Sequence, residues 1–225
     1  MDKVSAIILA AGSGSRFGEK KQFKKLNGKP IWAYSLNTFI QFERVDELIL
    51  VIPIDSLETL KQSQVFISLN KKNNIKLVSG GESRKDSVLN GLKAVKKAND
   101  IVCIHDAARP FIKISYIKRS IEACSEFDGG IIAIPAVDTV KKADNQLIKN
   151  TIDREFLWMA QTPQAFKKDK LLYAIKTFSH LNITDESMLM EKANFKIKLI
   201  EGDHSNFKIT NEIDWKLAKV IVRGE

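Results

Sequence analysis

The chain has 225 residues, 44% of them hydrophobic, and a formal net charge of +9. That is enough for one packed domain over residues 1–225 and too short for two of ordinary size, and no apolar run approaches the ~20 residues of a membrane helix. Residues 1–9 lack the regions of a signal peptide, and Cys103 and Cys124 lack metal-ligand or CxxC spacing, so both read as reduced packing residues of a cytoplasmic protein.

Of the 36 basic residues only seven are arginine, and the lysines are scattered rather than gathered in one block. Scattered lysine describes a solvated surface more than a polyanion groove. A nucleic-acid-binding module is therefore the weaker reading, and it would predict strongly salt-dependent binding of DNA or RNA. Arginine recognises phosphate through its planar fork. Arg16, Arg84, Arg109 and Arg154 all fall in motifs described below, which points to a phosphorylated small molecule.

Taken in chain order, Val4–Leu9 is a β-branched apolar run read as a strand, and it ends in a loop with three glycines. Residues 30–42 have helical spacing, with Trp32, Leu36, Phe39 and Ile40 on one side. Residues 47–53 read as a buried strand, 56 to about 69 as a helix, 75–78 as a strand and 86–97 as a helix. A strand at 101–104 ends in His105-Asp106; a helix at 115–127 and a strand at 130–135 follow. Such alternation predicts an α/β fold, a single Rossmann-like domain whose mainly parallel sheet is covered on both faces. Ligands in such sheets sit at the carboxyl ends of the strands. Residues 139–152 break the pattern: polar, with turn residues Asp144-Asn145 near the middle, they read as a hairpin. An isolated two-stranded hairpin is barely stable in water, so this arm, about 137–154, is expected to pack against something else, such as another subunit.

The loop after the first strand reads Leu9-Ala10-Ala11-Gly12-Ser13-Gly14-Ser15-Arg16-Phe17-Gly18, followed by Lys20-Lys21-Gln22. It has no GxxxxGK(S/T) and is not a Walker A loop. Phe17 stands where the dinucleotide fingerprint needs its third glycine, which disfavours a dinucleotide-dependent oxidoreductase. The small residues Ala10, Ala11, Gly12 and Gly14 let backbone N–H groups approach phosphate oxygens and a base edge. Arg16 and Lys21 add positive charge, as needed where a triphosphate is attacked.

Further motifs follow in order: Gly80-Gly81-Glu82-Ser83-Arg84-Lys85-Asp86-Ser87-Val88, His105-Asp106-Ala107-Ala108-Arg109-Pro110 and Asp138-Thr139-Val140-Lys141. Then come Asp153-Arg154, Leu157-Trp158, Thr162-Pro163-Gln164, Thr184-Asp185-Glu186 and Asn206-Phe207-Lys208-Ile209-Thr210. With these, the chain resembles the 2-C-methyl-D-erythritol 4-phosphate cytidylyltransferases of the non-mevalonate isoprenoid pathway over nearly its whole length. That resemblance implies a nucleotidyltransferase fold with a protruding β-hairpin arm, and a homodimer formed through that arm. It implies transfer of CMP from CTP to a sugar-alcohol phosphate, with pyrophosphate leaving. It places Gly80, Gly81, Ser87 and Ala107 in the nucleotide site, and Arg16 and Lys21 on the α-phosphate and departing pyrophosphate. It places Arg154 and Lys208 on the acceptor phosphate, Arg154 and Thr139 reaching into the neighbouring subunit's site, and Arg109 among the substrate-binding residues.

Asp106 ends a buried strand, where a carboxylate needs a cation; it can hold Mg²⁺ or another divalent cation against the triphosphate, or simply pair with Arg109. His105 reads as a packing or loop-anchoring residue, because a phosphate monoester with second pKa ~6 needs no base near neutral pH. Arg84 serves the cytosine loop or only braces it. Thr162 and Thr184 are acceptor-binding hydroxyls, or an ordinary turn and cap. Lys20 stands where many relatives have proline, and Ser187-Met188 where Ala-Ser is expected, which puts the helix start there in question. The ribitol-5-phosphate cytidylyltransferases of teichoic acid synthesis are the nearest alternative; Ala107-Ala108, where those enzymes are expected to carry Ser-Val, favours methylerythritol phosphate.

Overall fold

The computed structural model describes residues 2–12 and 20–224. Along the chain come β1 (Val4–Leu9), β2 (Lys25–Leu26), β3 (Lys29–Pro30), α1 (Ile31–Ile40), β4 (Glu47–Ile52), α2 (Leu57–Lys61), α3 (Gln64–Asn73), β5 (Lys76–Ser79) and α4 (Arg84–Ala94). After these follow β6 (Ile101–Asp106), α5 (Ile114–Glu122), β7 (Gly129–Pro135), β8 (Val140–Asp144), β9 (Leu147–Ile152) and β10 (Trp158–Lys167). The chain finishes with α6 (Lys168–Thr177), α7 (Glu186–Lys192), β11 (Ile197–Glu201) and α8 (Glu212–Arg223).

Seven strands form one sheet in the order β11-β7-β10-β6-β1-β4-β5. β5, β4, β1 and β6 are parallel neighbours, and β11 is parallel to β7. β10 is antiparallel to both β6 and β7, so it alone runs against the rest. The chain leaves β1 toward β4 and later returns to β6 on the other side of β1. The crevice beyond the carboxyl ends of β1 and β6 is therefore the switch point at which open α/β sheets hold ligands.

The period-two alternation of β1 feeds two cores. Val4, Ala6 and Ile8 pack with Trp32 and Phe39 of α1, Phe66 of α3 and Ile117 of α5. Ile7 and Leu9 face the other way, with Val88 and Leu92 of α4, Leu171 of α6 and Met190 of α7. Burial on both faces is why the parallel strands read as continuous apolar runs. Phe39 is fully buried; truncating such a side chain to alanine costs ~3–5 kcal/mol. A smaller cluster seats Trp215 and Ala218 of α8 on Leu26, Ile31 and Ile209. Among the described residues no helix is long and apolar enough to cross a membrane.

Several predicted boundaries move for local reasons. The helix expected over 56–69 is two, because Ser63 stops the first and caps the second by accepting the Phe66 N–H at 3.2 Å. α4 begins two residues earlier than expected, where Ser83 and Asp86 form a capping box. Val95 then turns extended and ends it. α5 stops at Glu122 and tightens into a 3₁₀ turn over Ala123–Ser125. In the hairpin the turn lies one residue later than predicted: Asn145 and Gln146 carry φ of +47° and +66°, while Asp144 still pairs with Leu147. Two successive left-handed residues make the type I′ turn that matches strand twist. β8 and β9 pair only with each other and are almost wholly exposed.

Candidate active site

A cleft of about 420 Å³ opens beyond the carboxyl ends of β1 and β6. Its wall is the β1 loop (Ala10, Ala11, Gly12), followed by Lys21; across from it stand Gly81, Arg84 and Ser87, with Asp106 and Lys208. Gly14 and Arg16 lie outside the described residues. Gln22 is buried and donates to the Gly12 carbonyl at 2.9 Å, tying the two ends of the loop together. Lys20, the departure from proline, pairs with Asp55 at 2.5 Å.

The glycines opposite are dictated by packing. A Cβ on Gly80 would lie 2.4 Å from Cβ of Ala11, and one on Gly81 would lie 2.2 Å from Cβ of Asp86. Both approaches are tighter than any side chain tolerates, so glycine at 80 lets the α4 entry loop press against the β1 loop, and glycine at 81 lets that loop fold back beside Asp86 of α4. Ser87 Oγ accepts the Gly81 N–H at 3.1 Å and donates to the Ser83 carbonyl at 3.0 Å. Its hydroxyl thus shapes the loop while lining the cleft. Gly80 and Ala107 sit just behind the wall, their N–H groups bonded to Ile52 and Leu9 carbonyls at 2.7 and 2.9 Å.

Asp106 is the buried charge of the site. Lys208 donates to its Oδ2 at 2.6 Å and Arg84 Nε to its Oδ1 at 3.3 Å. Burial alone would raise this carboxyl, but Arg84 and Lys208 outweigh it and hold it well below the usual carboxylate range. Arg84 Nη1 in turn meets both oxygens of Glu186, at 2.6 and 2.9 Å. Glu186 is 1% exposed. Burial pushes its carboxyl up against the pull of Arg84, while the carboxylates of Asp106 and Glu186 hold Arg84 firmly charged despite burial. The expected partner Arg109 bonds Asp106 only through the backbone, its N–H donating to the Asp106 carbonyl at 2.9 Å, and its side chain makes no bond to the carboxylate. It donates instead to the Asn206 carbonyl at 2.8 Å, its guanidinium lowered by burial, and it does not line the cleft.

Behind Asp106 the hydrogen bonds form a chain. The Asp106 N–H donates to Thr162 Oγ1 at 3.0 Å, and Thr162 Oγ1 lies 3.0 Å from His105 Nδ1. His105 Nε2 faces the Arg109 carbonyl at 3.2 Å, so its proton sits on Nε2 and Nδ1 accepts from the threonine. Burial lowers His105 to about 4, which leaves it neutral near pH 7 and fits an anchoring role. Thr162 itself is buried, with its hydroxyl turned to Asp106 and His105. Asn206 bonds Gln161 Oε1 and the Thr162 carbonyl at 2.8 and 2.9 Å. It thereby fastens β10 to the segment that carries Lys208.

Other predicted residues stand apart. Thr139 and Arg154 flank the hairpin and are exposed, and Arg154 donates to the Val137 carbonyl. Thr184 is exposed just before Asp185, whose side chain accepts the Met188 N–H at 3.2 Å and caps α7. The helix start at Ser187-Met188 is thus a regular cap. Glu186, Gln22 and Asn206 received no role from sequence, although each lies inside or beside a quoted motif.

Among the described residues no group of three or more His, Cys, Asp or Glu could hold a metal. The cleft offers carboxylates from Asp106 and Glu82, and Glu82 is exposed. Asp106, as the buried carboxylate of the cleft, fits the needs of Mg²⁺, which takes one or two protein carboxylates and keeps waters rather than an all-protein cage.

A family model for 2-C-methyl-D-erythritol 4-phosphate cytidylyltransferase matches residues 4–224. The bifunctional enzyme IspD/IspF of Desulfotalea psychrophila is 39% identical over 225 residues; the match covers 99% of this chain and 58% of that enzyme, so the chain spans little more than half of it. The 2-C-methyl-D-erythritol 4-phosphate cytidylyltransferase of Caldanaerobacter subterraneus subsp. tengcongensis is 37% identical, covering 98% of this chain and 99% of its own. Among solved structures, 4-diphosphocytidyl-2C-methyl-D-erythritol synthase from Anaerococcus prevotii aligns with a TM-score of 0.85 and 31% identity over 99% of both chains.

Proposed function

The chain belongs to the 2-C-methyl-D-erythritol 4-phosphate cytidylyltransferases, and from that premise we propose how its own residues carry the reaction. The enzyme transfers CMP from CTP to 2-C-methyl-D-erythritol 4-phosphate in isoprenoid precursor biosynthesis, giving 4-diphosphocytidyl-2-C-methyl-D-erythritol and pyrophosphate. Neither the ribitol enzymes nor a nucleic-acid-binding module is favoured by these relatives. The observation that carries the residue assignment is the convergence of Lys21, Arg84, Asp106 and Lys208 on one cleft at the switch point.

CTP lies with its base against Gly81 and Ser87, on the loop that Gly80 supports from behind, and its phosphates along Ala10, Ala11 and Gly12. The phosphate of the acceptor, largely dianionic near neutral pH, attacks the α-phosphorus in line, and the bond to the β-phosphate oxygen breaks. Lys21 and Arg16 neutralise the charge that develops on the α-phosphate and on departing pyrophosphate. Lys208 orients the acceptor phosphate, and catalysis rests on positioning and charge rather than a covalent intermediate. Asp106 would hold a divalent cation, Mg²⁺ or an equivalent, whose chemistry is to neutralise triphosphate charge. Thr139 and Arg154 act in the site of the neighbouring subunit of a homodimer joined through the arm.

A pyrophosphate-release assay with CTP and Mg²⁺ tests this, comparing 2-C-methyl-D-erythritol 4-phosphate with ribitol 5-phosphate. Turnover with the first only is expected, and Lys21→Ala should lower it by at least ~10²-fold. No turnover with either acceptor overturns the reading.

A further inference from the structure

Glu186 has no place in the chemistry above, yet it is among the least exposed acidic side chains of the protein, at 1%. It lies at the start of α7, and both of its oxygens meet the same nitrogen, Nη1 of Arg84. Arg84 begins α4, next to the Ser83–Asp86 capping box that fixes the helix entry. The guanidinium is thus gripped from behind and reaches Asp106 only through Nε, at Oδ1. Oδ2 is left to Lys208, whose side chain is 32% exposed on the cleft. The two oxygens of Asp106 are held in unequal ways. One belongs to a buried, clamped arginine, and the other to a lysine on a flexible stem.

We propose that Glu186 is a positioning residue that clamps Arg84 on Oδ1 of Asp106 and so reserves Oδ2 as the exchangeable oxygen of the nucleotide site. An unclamped arginine would turn its fork onto the carboxylate and take both oxygens, the favoured arrangement for this pair. With Glu186 in place the end-on fork is closed off, because Nη1 is already committed, and the arginine meets the carboxylate through Nε while Lys208 holds Oδ2. Oδ2 can then pass from Lys208 to the cation that accompanies the triphosphate, and the same exchange frees the Lys208 amine for the acceptor phosphate. The inference rests on the assignment of a divalent cation to Asp106.

Calorimetric titration of CTP without acceptor, in Mg²⁺ and in EDTA, separates the two ideas because no turnover occurs. Wild-type protein should bind CTP at least ~10-fold more tightly in Mg²⁺, the scale of one charge-assisted contact. Glu186→Gln should lose most of that gain while its affinity in EDTA stays within ~2-fold. Glu186→Asp, which keeps the charge, should recover part of the gain. If Glu186→Gln does not fold, the Asp variant and Arg84→Lys, a point charge without a fork, carry the test: each folded variant should show a smaller Mg²⁺ gain than wild type. A wild-type protein with no Mg²⁺ gain overturns the cation assignment and the inference with it. A wild-type gain preserved in all folded variants, or an equal loss in both buffers, overturns the role of Glu186 alone.

Discussion

Asp106 and Arg154 carry charges assigned to the same reaction, yet they are held in opposite ways. Asp106 ends a strand buried between two layers of helices, and contacts from α4, β10 and the segment before α8 converge on it. Arg154 follows a hairpin whose strands pair only with each other, and it donates to the carbonyl of Val137 close by. Along the same segment Leu147, Ile148 and Phe156 are 69%, 66% and 78% exposed. A side chain on the core is placed by its own chain. One on an unsupported hairpin with exposed apolar residues is placed by whatever covers that hairpin.

The largest effect comes from crossing the two regions. Asp106→Asn and Arg154→Ala should each lower turnover by at least ~10²-fold. If the arm serves the neighbouring subunit, mixed dimers contain one site with both residues intact. An equal mixture, after exchange of subunits, should then regain about a quarter of wild-type activity, because half the dimers are mixed and each has one working site of two. A mixture as inactive as its components would place both residues in the same subunit's site.

Acid should strike the core and spare the arm. His105 is depressed to about 4 by burial, from an ordinary value near 6.5. A depressed group contributes stability that is fully present above its unfolded pKa and is lost as pH falls toward the folded one. Between pH 6.5 and 4 the metal-free protein should therefore lose about 3 kcal/mol from this residue. Asp106, held below the usual carboxylate range, extends the loss at lower pH. Denaturant unfolding at several pH values measures it, and His105→Gln should flatten the slope in that window. An unchanged slope would mean that His105 is not buried neutral.

The same contrast explains what could be read from sequence. β1, β4 and β6 were legible because strands buried on both faces must be apolar throughout, and the loops at their ends carry the motifs. β10 was not, although it is the strand between β6 and β7. It contains Pro163, which cannot donate to a ladder and argues against a central strand; the register shifts between Ala160 and Gln164 to accommodate it. The motif around Thr162 was visible, but not that its hydroxyl would face Asp106 and His105. That orientation depends on β10 running antiparallel beside β6, a pairing that no local pattern encodes. The partners of Asp106 were missed for the same reason: Arg84 and Lys208 are 22 and 102 residues away in sequence, while nearby Arg109 turns elsewhere.

Thr162→Val tests that pairing with a smaller effect. Valine keeps the shape but leaves the Asp106 N–H and His105 Nδ1 without their partner, at a cost of about 2 kcal/mol in chemical denaturation. Thr162→Ser should restore most of it. If both variants unfold like wild type, the hydroxyl is not what joins β10 to the floor of the cleft.

The smallest effect on folding belongs to the hairpin tip. Leu147 and Ile148 touch no core cluster and lie next to the type I′ turn. Replacing both with lysine should change unfolding free energy by no more than ~0.5 kcal/mol, measured where the protein is monomeric. The same change puts two charges on the apolar tip, so sedimentation should show weaker self-association if that tip docks on a second copy. Weaker association with unchanged folding would separate arm from core. A loss of several kcal/mol in the monomer would show that the hairpin is held by its own chain after all.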